Sequence, residues 1–146
     1  MSGEVSIAKI LAAEAEALRL ESEVGVQIPT WHHFAEGLCA RTIFVPAGVA
    51  AFGAAHLVEQ INICHGDMTV RSGDELKRYT GFHVIPSSQG VKRQGFAHSD
   101  TWWTTVYANP DGCTDERELE RRHYAEADLM QTARMQQPLL AMEDFQ

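Results

Sequence analysis

From Arg41 to Ala108 the chain carries a turn signal about every ten residues, and this spacing limits the folds open to it. The signals are Pro46-Ala47-Gly48, Gly66-Asp67, Ser72-Gly73-Asp74, Gly81 and the SSQG run at 87–90. Between them lie short runs rich in β-branched and aromatic residues: RTIFVP, Gln60 to His65, MTVRS, LKRYT, FHVIP and TWWTTVYA. Two of these runs alternate cleanly. Ile61 and Ile63 oppose Asn62 and Cys64, and Trp102, Thr104 and Val106 oppose Trp103, Thr105 and Tyr107. Many short strands in this arrangement predict an antiparallel sandwich or barrel. A doubly wound parallel sheet is excluded, because strand signals do not alternate with helical ones.

The flanks read differently. Residues 5–23 place Ile7, Ile10, Leu11 and Leu18 near one helical face, with Gly25 as a stop and Pro29 preventing continuation. Residues 30–40, TWHHFAEGLCA, read as a loop into the barrel, with His32 and His33 on opposite sides. After Asn109-Pro110-Asp111-Gly112, Thr114 or Asp115 caps a second helix, with Glu116 and Glu118 in its first turn, expected to run to about Met135. Pro138 ends it. The tail then carries Leu139, Leu140, Met142 and Phe145, an apolar set expected to make interactions. The expected division is an N-terminal helical arm over 1–29, a β-barrel over 30–110, and a C-terminal helix and tail over 111–146.

The 146 residues suit one core, and a formal net charge of -8 argues against general nucleic-acid or anionic-membrane binding. Cys39, Cys64 and Cys113 form no CxxC pair, so neither a zinc knuckle nor a disulfide framework is indicated. The start, MSGEVSIAKI, lacks the basic-then-apolar pattern of a signal peptide, and no apolar run approaches a bilayer's width. A cytoplasmic protein is expected.

The chemistry-bearing stretch is Gly48 to Gly66, GVAAFGAAHLVEQINICHG, with His56 and Glu59 near the junction of two strands. It resembles the first motif of the cupins: a glycine, five residues, His-x-His, a short gap, a glutamate, six residues and a glycine. Here Ala54 stands at the first histidine, His56 at the second, and Glu59 follows early. In the second cupin motif Gly81, Pro86 and Gly90 fit loosely, and Arg93 stands where a histidine is usual. The resemblance implies a cupin-type antiparallel β-barrel, or jelly roll, to which the residue pattern adds helical arms at both ends. It also implies a depleted metal site of His56, Glu59 and His98 for a divalent transition metal. Arg93 and Lys92 are adjacent, so one of them enters the barrel, where a cation favours a carboxylate or phosphate. Trp102 is a candidate stacking residue. Cys64 has no evident base partner, and no catalytic residue is assigned.

A longer run is more specific. HHFAEGLCARTIFVPAG, then His56 and Glu59, then GVKRQGFAHSDTWWTTVYANPD, is similar to a group of small cupin-like proteins encoded in bacteriophage genomes. Members of that group are mostly of unassigned function; the incomplete metal motif and the apolar tail set the expectation of a non-catalytic structural or interaction protein, phage-encoded, in the host cytoplasm or the virion. Such a protein would assemble through its arms as a dimer or higher homo-oligomer and with other phage structural proteins. Two alternatives stand beside it: a metal-dependent cupin enzyme acting on a small molecule, and a pocket that binds an anionic small molecule.

Overall fold

The structure, a computed structural model, describes residues 27–136. The expected helix over 5–23 and the tail residues Leu139, Leu140, Met142 and Phe145 lie outside the described residues. Eight strands follow one another: β1 (Ile28–Ala35), β2 (Gly37–Val45), β3 (Ala50–Phe52), β4 (Gln60–Ser72), β5 (Glu75–Ser87), β6 (Arg93–Ala97), β7 (Thr101–Asn109) and β8 (Thr132–Met135). One α-helix among the described residues, α1 (Glu116–His123), and a 3-10 turn (Ala127–Leu129) precede β8.

All eight strands belong to one hydrogen-bonded sheet that curls back on itself. β4 and β5 make this possible. Their hairpin pairs without a break from Gln60↔Ser87 to Ser72↔Glu75. On its other side β4 pairs with β7 over Ile61–His65 and then with β6 over Met68–Ser72. The larger layer is therefore β8-β1-β2-β7 with the first half of β4 and the second half of β5. The smaller layer is β3-β6 with the second half of β4 and the first half of β5. This is jelly-roll connectivity, and the chain is mainly β, as the sequence predicts.

The bend falls on a glycine pair. Gly66 lies opposite Gly81, with φ of 150° and 86°, values that side chains rarely adopt. At Gly66 a Cβ would sit 2.7 Å from Thr101 Cα, so only glycine lets β7 begin there. Gly66-Asp67 is thus a bend inside one long strand and not the turn read from sequence. Gly81 likewise sits within β5 and does not divide two strands.

Inside, Val45 packs with Met68, Val70 and Ala97 between the layers. A second cluster, Cys39, Ala54, Tyr107, Leu119 and Tyr124, joins the larger layer to α1. Arg41 on β2 is buried, and its Nη2 donates to Glu120 Oε2 at 3.3 Å and Thr132 Oγ1 at 2.8 Å. Glu120, 1% exposed, also accepts from Arg134 Nε at 2.6 Å. This network ties α1 and β8 to the sheet.

Three expectations are corrected. Residues 30–40 are not a loop. They form the β1–β2 hairpin, turned at Gly37 with φ 76°, and polar residues at inward positions (Thr30, His32, Arg41) disguised the period of two. The tight junction expected near His56 and Glu59 is a longer loop over 53–59, with a single bridge at His56. The C-terminal helix stops at His123, well short of Met135. Asp115 caps it by accepting from the Glu118 N–H at 3.1 Å. Tyr124 then turns extended to bridge His56, and Thr132–Met135 runs parallel to β1 along its open edge. Sheet pairing there outweighs a weak helical stripe.

Removing one partner of a buried ion pair leaves the other charge uncompensated. Glu120→Ala should therefore lower the unfolding free energy by ~3–5 kcal/mol, read as a shift in urea midpoint. An unchanged midpoint would show that α1 and β8 are held by other contacts.

Candidate functional site

A cavity of about 80 Å³ lies between the two layers. In this measure a water needs roughly 10–15 Å³, so the space suits a compact molecule. Most of its wall is apolar, from Ile43, Phe52, Met68, Val70 and Trp103. Its polar lining comes from Arg41, His56, Arg93, Thr105, Tyr124 and Gln131, whose Oε1 is buried without a hydrogen-bond partner.

Arg93 opens β6, and its side chain is fixed from two sides. Its Nη2 donates to Ser87 Oγ at 2.8 Å, and its guanidinium lies over the Trp103 ring at 5.9 Å. Ser87 also accepts from Asn62 Nδ2 at 2.7 Å. Asn62, fully buried, accepts in turn from Thr105 Oγ1 at 2.8 Å and Trp103 Nε1 at 3.2 Å. This chain of bonds leaves Arg93 Nη1 buried without a hydrogen-bond partner. No carboxylate pairs with Arg93 among the described residues, and burial draws its pKa down.

His56 sits in the 53–59 loop. Its backbone N–H donates to Val91 O at 3.0 Å, and its carbonyl accepts from Gly90 N–H at 2.6 Å. The loop is also bonded to the end of α1, through Leu57 N–H to His123 O at 2.8 Å. The imidazole meets the Tyr124 ring edge-on at 5.3 Å. Burial lowers the His56 pKa to about 4, helped by the charges of Arg93 and Arg41, so the ring is neutral at pH 7. Arg41 guanidinium lies 5.3 Å over the same Tyr124 ring. Arg41 Nε, His56 Nδ1 and Tyr124 Oη are all buried without hydrogen-bond partners.

The structure does not gather His56, Glu59 and His98. Only His56 reaches the cavity. Glu59 is exposed just before β4, beside a separate shallow groove with Gln60, Ser87 and Tyr107. His98 follows the inward Ala97, so it points outward, and it bonds Thr69 Oγ1 at 2.7 Å on the outer face of the smaller layer. Among the described residues no three His, Cys, Asp or Glu side chains converge as metal ligands. The side chains around His56 do not fit a divalent cation, because its charged neighbours are two arginines.

Of the residues expected to bind ligand, Arg93 lines the cavity and Lys92 does not. Trp102 lies on the outer face with Phe44 and Trp31, at ring-centroid distances of 4.5 and 5.6 Å. The alternation Trp102/Trp103 was legible in the sequence; which tryptophan faces inward was not. Arg41 could have been found, since it shares the inward parity of Cys39, Ile43 and Val45. Tyr124 carried no such signal. Cys64 is fully buried, which pushes its thiol up to about 11 and keeps it protonated.

No known family model matches the chain, and no curated protein matches it in sequence. Solved structures resemble it in shape. An RmlC-like cupin from Methanocaldococcus jannaschii with a double-stranded β-helix is 17% identical, with a TM-score of 0.48 over 57% of this chain and 83% of that one. KdgF from a Halomonas species is 15% identical, with a TM-score of 0.45 over 52% and 73%. The DMSP lyase DddQ from Ruegeria pomeroyi is 15% identical, with a TM-score of 0.47 over 58% and 48%. The fold assignment stands on the strand register above.

A buried histidine whose folded pKa lies below its unfolded value takes up protons on unfolding, so stability is present above pH 6.5 and is lost as pH falls towards 4. His32, drawn to about 3 by burial and nearby arginines, acts in the same direction. Urea titrations between pH 7 and 4 should show this loss, smaller in His56→Gln. The same slope in both proteins would place the effect elsewhere.

Proposed function

We propose that the protein binds a compact organic oxyanion in the cavity between its layers, with Arg93 as the anchor. The observation that carries this reading is a half-buried guanidinium with no carboxylate partner among the described residues, set beside further unsatisfied polar atoms. Arg41 Nε and Arg93 Nη1 can only donate, and Tyr124 Oη is free to do so. An enclosed charge without a counter-ion is costly, and an anion placed against it offsets that cost. The apolar remainder of the wall favours a ligand with a hydrocarbon body over inorganic phosphate.

Calorimetry with short aliphatic and aromatic carboxylates, and with inorganic phosphate for comparison, tests this. A carboxylate should bind, and Arg93→Ala should weaken it by roughly 10–100-fold, the worth of one charged hydrogen bond. An anion beside His56 also raises the pKa of that ring from about 4, so binding takes up protons and should tighten between pH 7 and 5. Absence of binding by every carboxylate at millimolar concentration would remove this reading.

A non-catalytic structural protein of a bacteriophage, in the virion or its assembly, is the second reading. Phe82 and Val84, 65% and 55% exposed on the larger layer, favour it. In that reading the apolar tail recruits neighbouring chains. Deleting residues 136–146 should then reduce assembly size in light scattering, and an unchanged size would count against the tail.

A further inference from the structure

The two outer faces of the jelly roll differ in charge. On the smaller layer, outward positions hold Asp67, Arg71 and Arg78, and Arg78 grips Asp67 through bonds of 2.8 and 2.7 Å. On the larger layer, the outward positions of β8, β1, β2 and β7, of 60–65 in β4 and of 82–87 in β5 include no Asp, Glu, Lys or Arg. Charged residues make up 22% of the whole chain, so this face departs from the rest of the sequence. The parity is secure. Cys39, Val45, Cys64 and Tyr107 are buried at inward positions, while Phe44 and Trp102 meet outside and Thr42 bonds Thr104 through their hydroxyls at 2.8 Å. Leu38, Ile61, Phe82 and Val84 are between 46% and 65% exposed on that face.

We propose that the outward face of the larger layer is a docking surface for a second copy of this chain. Six strands at ~4.8 Å spacing and about seven residues of length give roughly 600 Å² per copy before side-chain relief. Two such faces approach ~1,200 Å², the lower bound of a specific interface. One helix, ~10 Å across, or one strand covers less than half of that width. A terminal segment of the same chain therefore leaves much of the face bare, whereas an identical face covers it. Two-fold pairing brings each residue against the same surface on its partner, and a face without charges meets no like-charge repulsion. Tryptophan and phenylalanine are the residue types that anchor such contacts, and Trp31, Phe44 and Trp102 supply them here. This inference does not rest on the anion-binding reading, and its failure leaves the cavity untouched.

Sedimentation equilibrium of the full chain from ~1 to ~100 μM, bracketing the affinity of a small interface, tests the proposal. The wild type should be dimeric at the upper end. Val84→Glu and, on another strand, Leu38→Glu should each weaken association at least about tenfold while keeping the urea midpoint. Phe96→Glu, which adds the same charge to the outer face of the smaller layer, should leave the dimer intact. A wild type that stays monomeric throughout, a dimer indifferent to Val84→Glu and Leu38→Glu, or equal disruption by Phe96→Glu would overturn the proposal. If the wild type is monomeric and deletion of 137–146 creates a dimer, the tail is the occupant instead.

Discussion

The whole architecture depends on a bend that two glycines permit. β4 and β5 are a single hairpin of 13 residues per strand, long enough to serve both layers. At Gly66 and Gly81 the hairpin leaves the larger layer and enters the smaller one. Thr101 closes against the bend, where its Oγ1 accepts from Asp67 N–H at 3.1 Å. A side chain at Gly66 would collide with the backbone at Thr101 and push β7 away from β4. Without that bend the inner faces would not meet, and no space would be enclosed between them.

Enclosure then sets the electrostatics. Arg41 and Arg93 both face inward, but their surroundings differ. Glu120, brought in by α1, neutralises Arg41, and Thr132 on β8 completes its bonding. Among the described residues Arg93 has only the hydroxyl of Ser87 and the face of Trp103. One cation is thus part of the scaffold, and the other lines the cavity. Low polarity around both strengthens any charge that enters and keeps His56 neutral.

Much of the fold was legible because strand parity and turn chemistry are local. The turns at Ala47-Gly48, Gly73-Asp74 and Gln89-Gly90 lie where glycine and its neighbours predicted them. The cap was narrowed to Thr114 or Asp115, and Asp115 fills it. The β1–β2 hairpin was missed because Thr30, His32 and Arg41 occupy inward positions that periodicity expects to be apolar. The metal set failed for a related reason. The cupin resemblance grouped His56, Glu59 and His98, but parity at Ala97 turns His98 outward, and Glu59 precedes the strand that would have aimed it.

What the amino-acid order determined alone was the strand character of 41–108, the turns at Ala47-Gly48, Gly73-Asp74 and Gln89-Gly90, and the alternation of residues between two faces. These follow from backbone preferences within a few residues of each other. Which face became the inside was settled only when the layers closed, since Trp102 and Trp103 are equivalent until β7 finds its place between β2 and β4. Only folding brought Tyr124, Arg41 and Arg93 around a common cavity, because they come from three separate segments whose approach depends on the bend at Gly66 and the docking of α1.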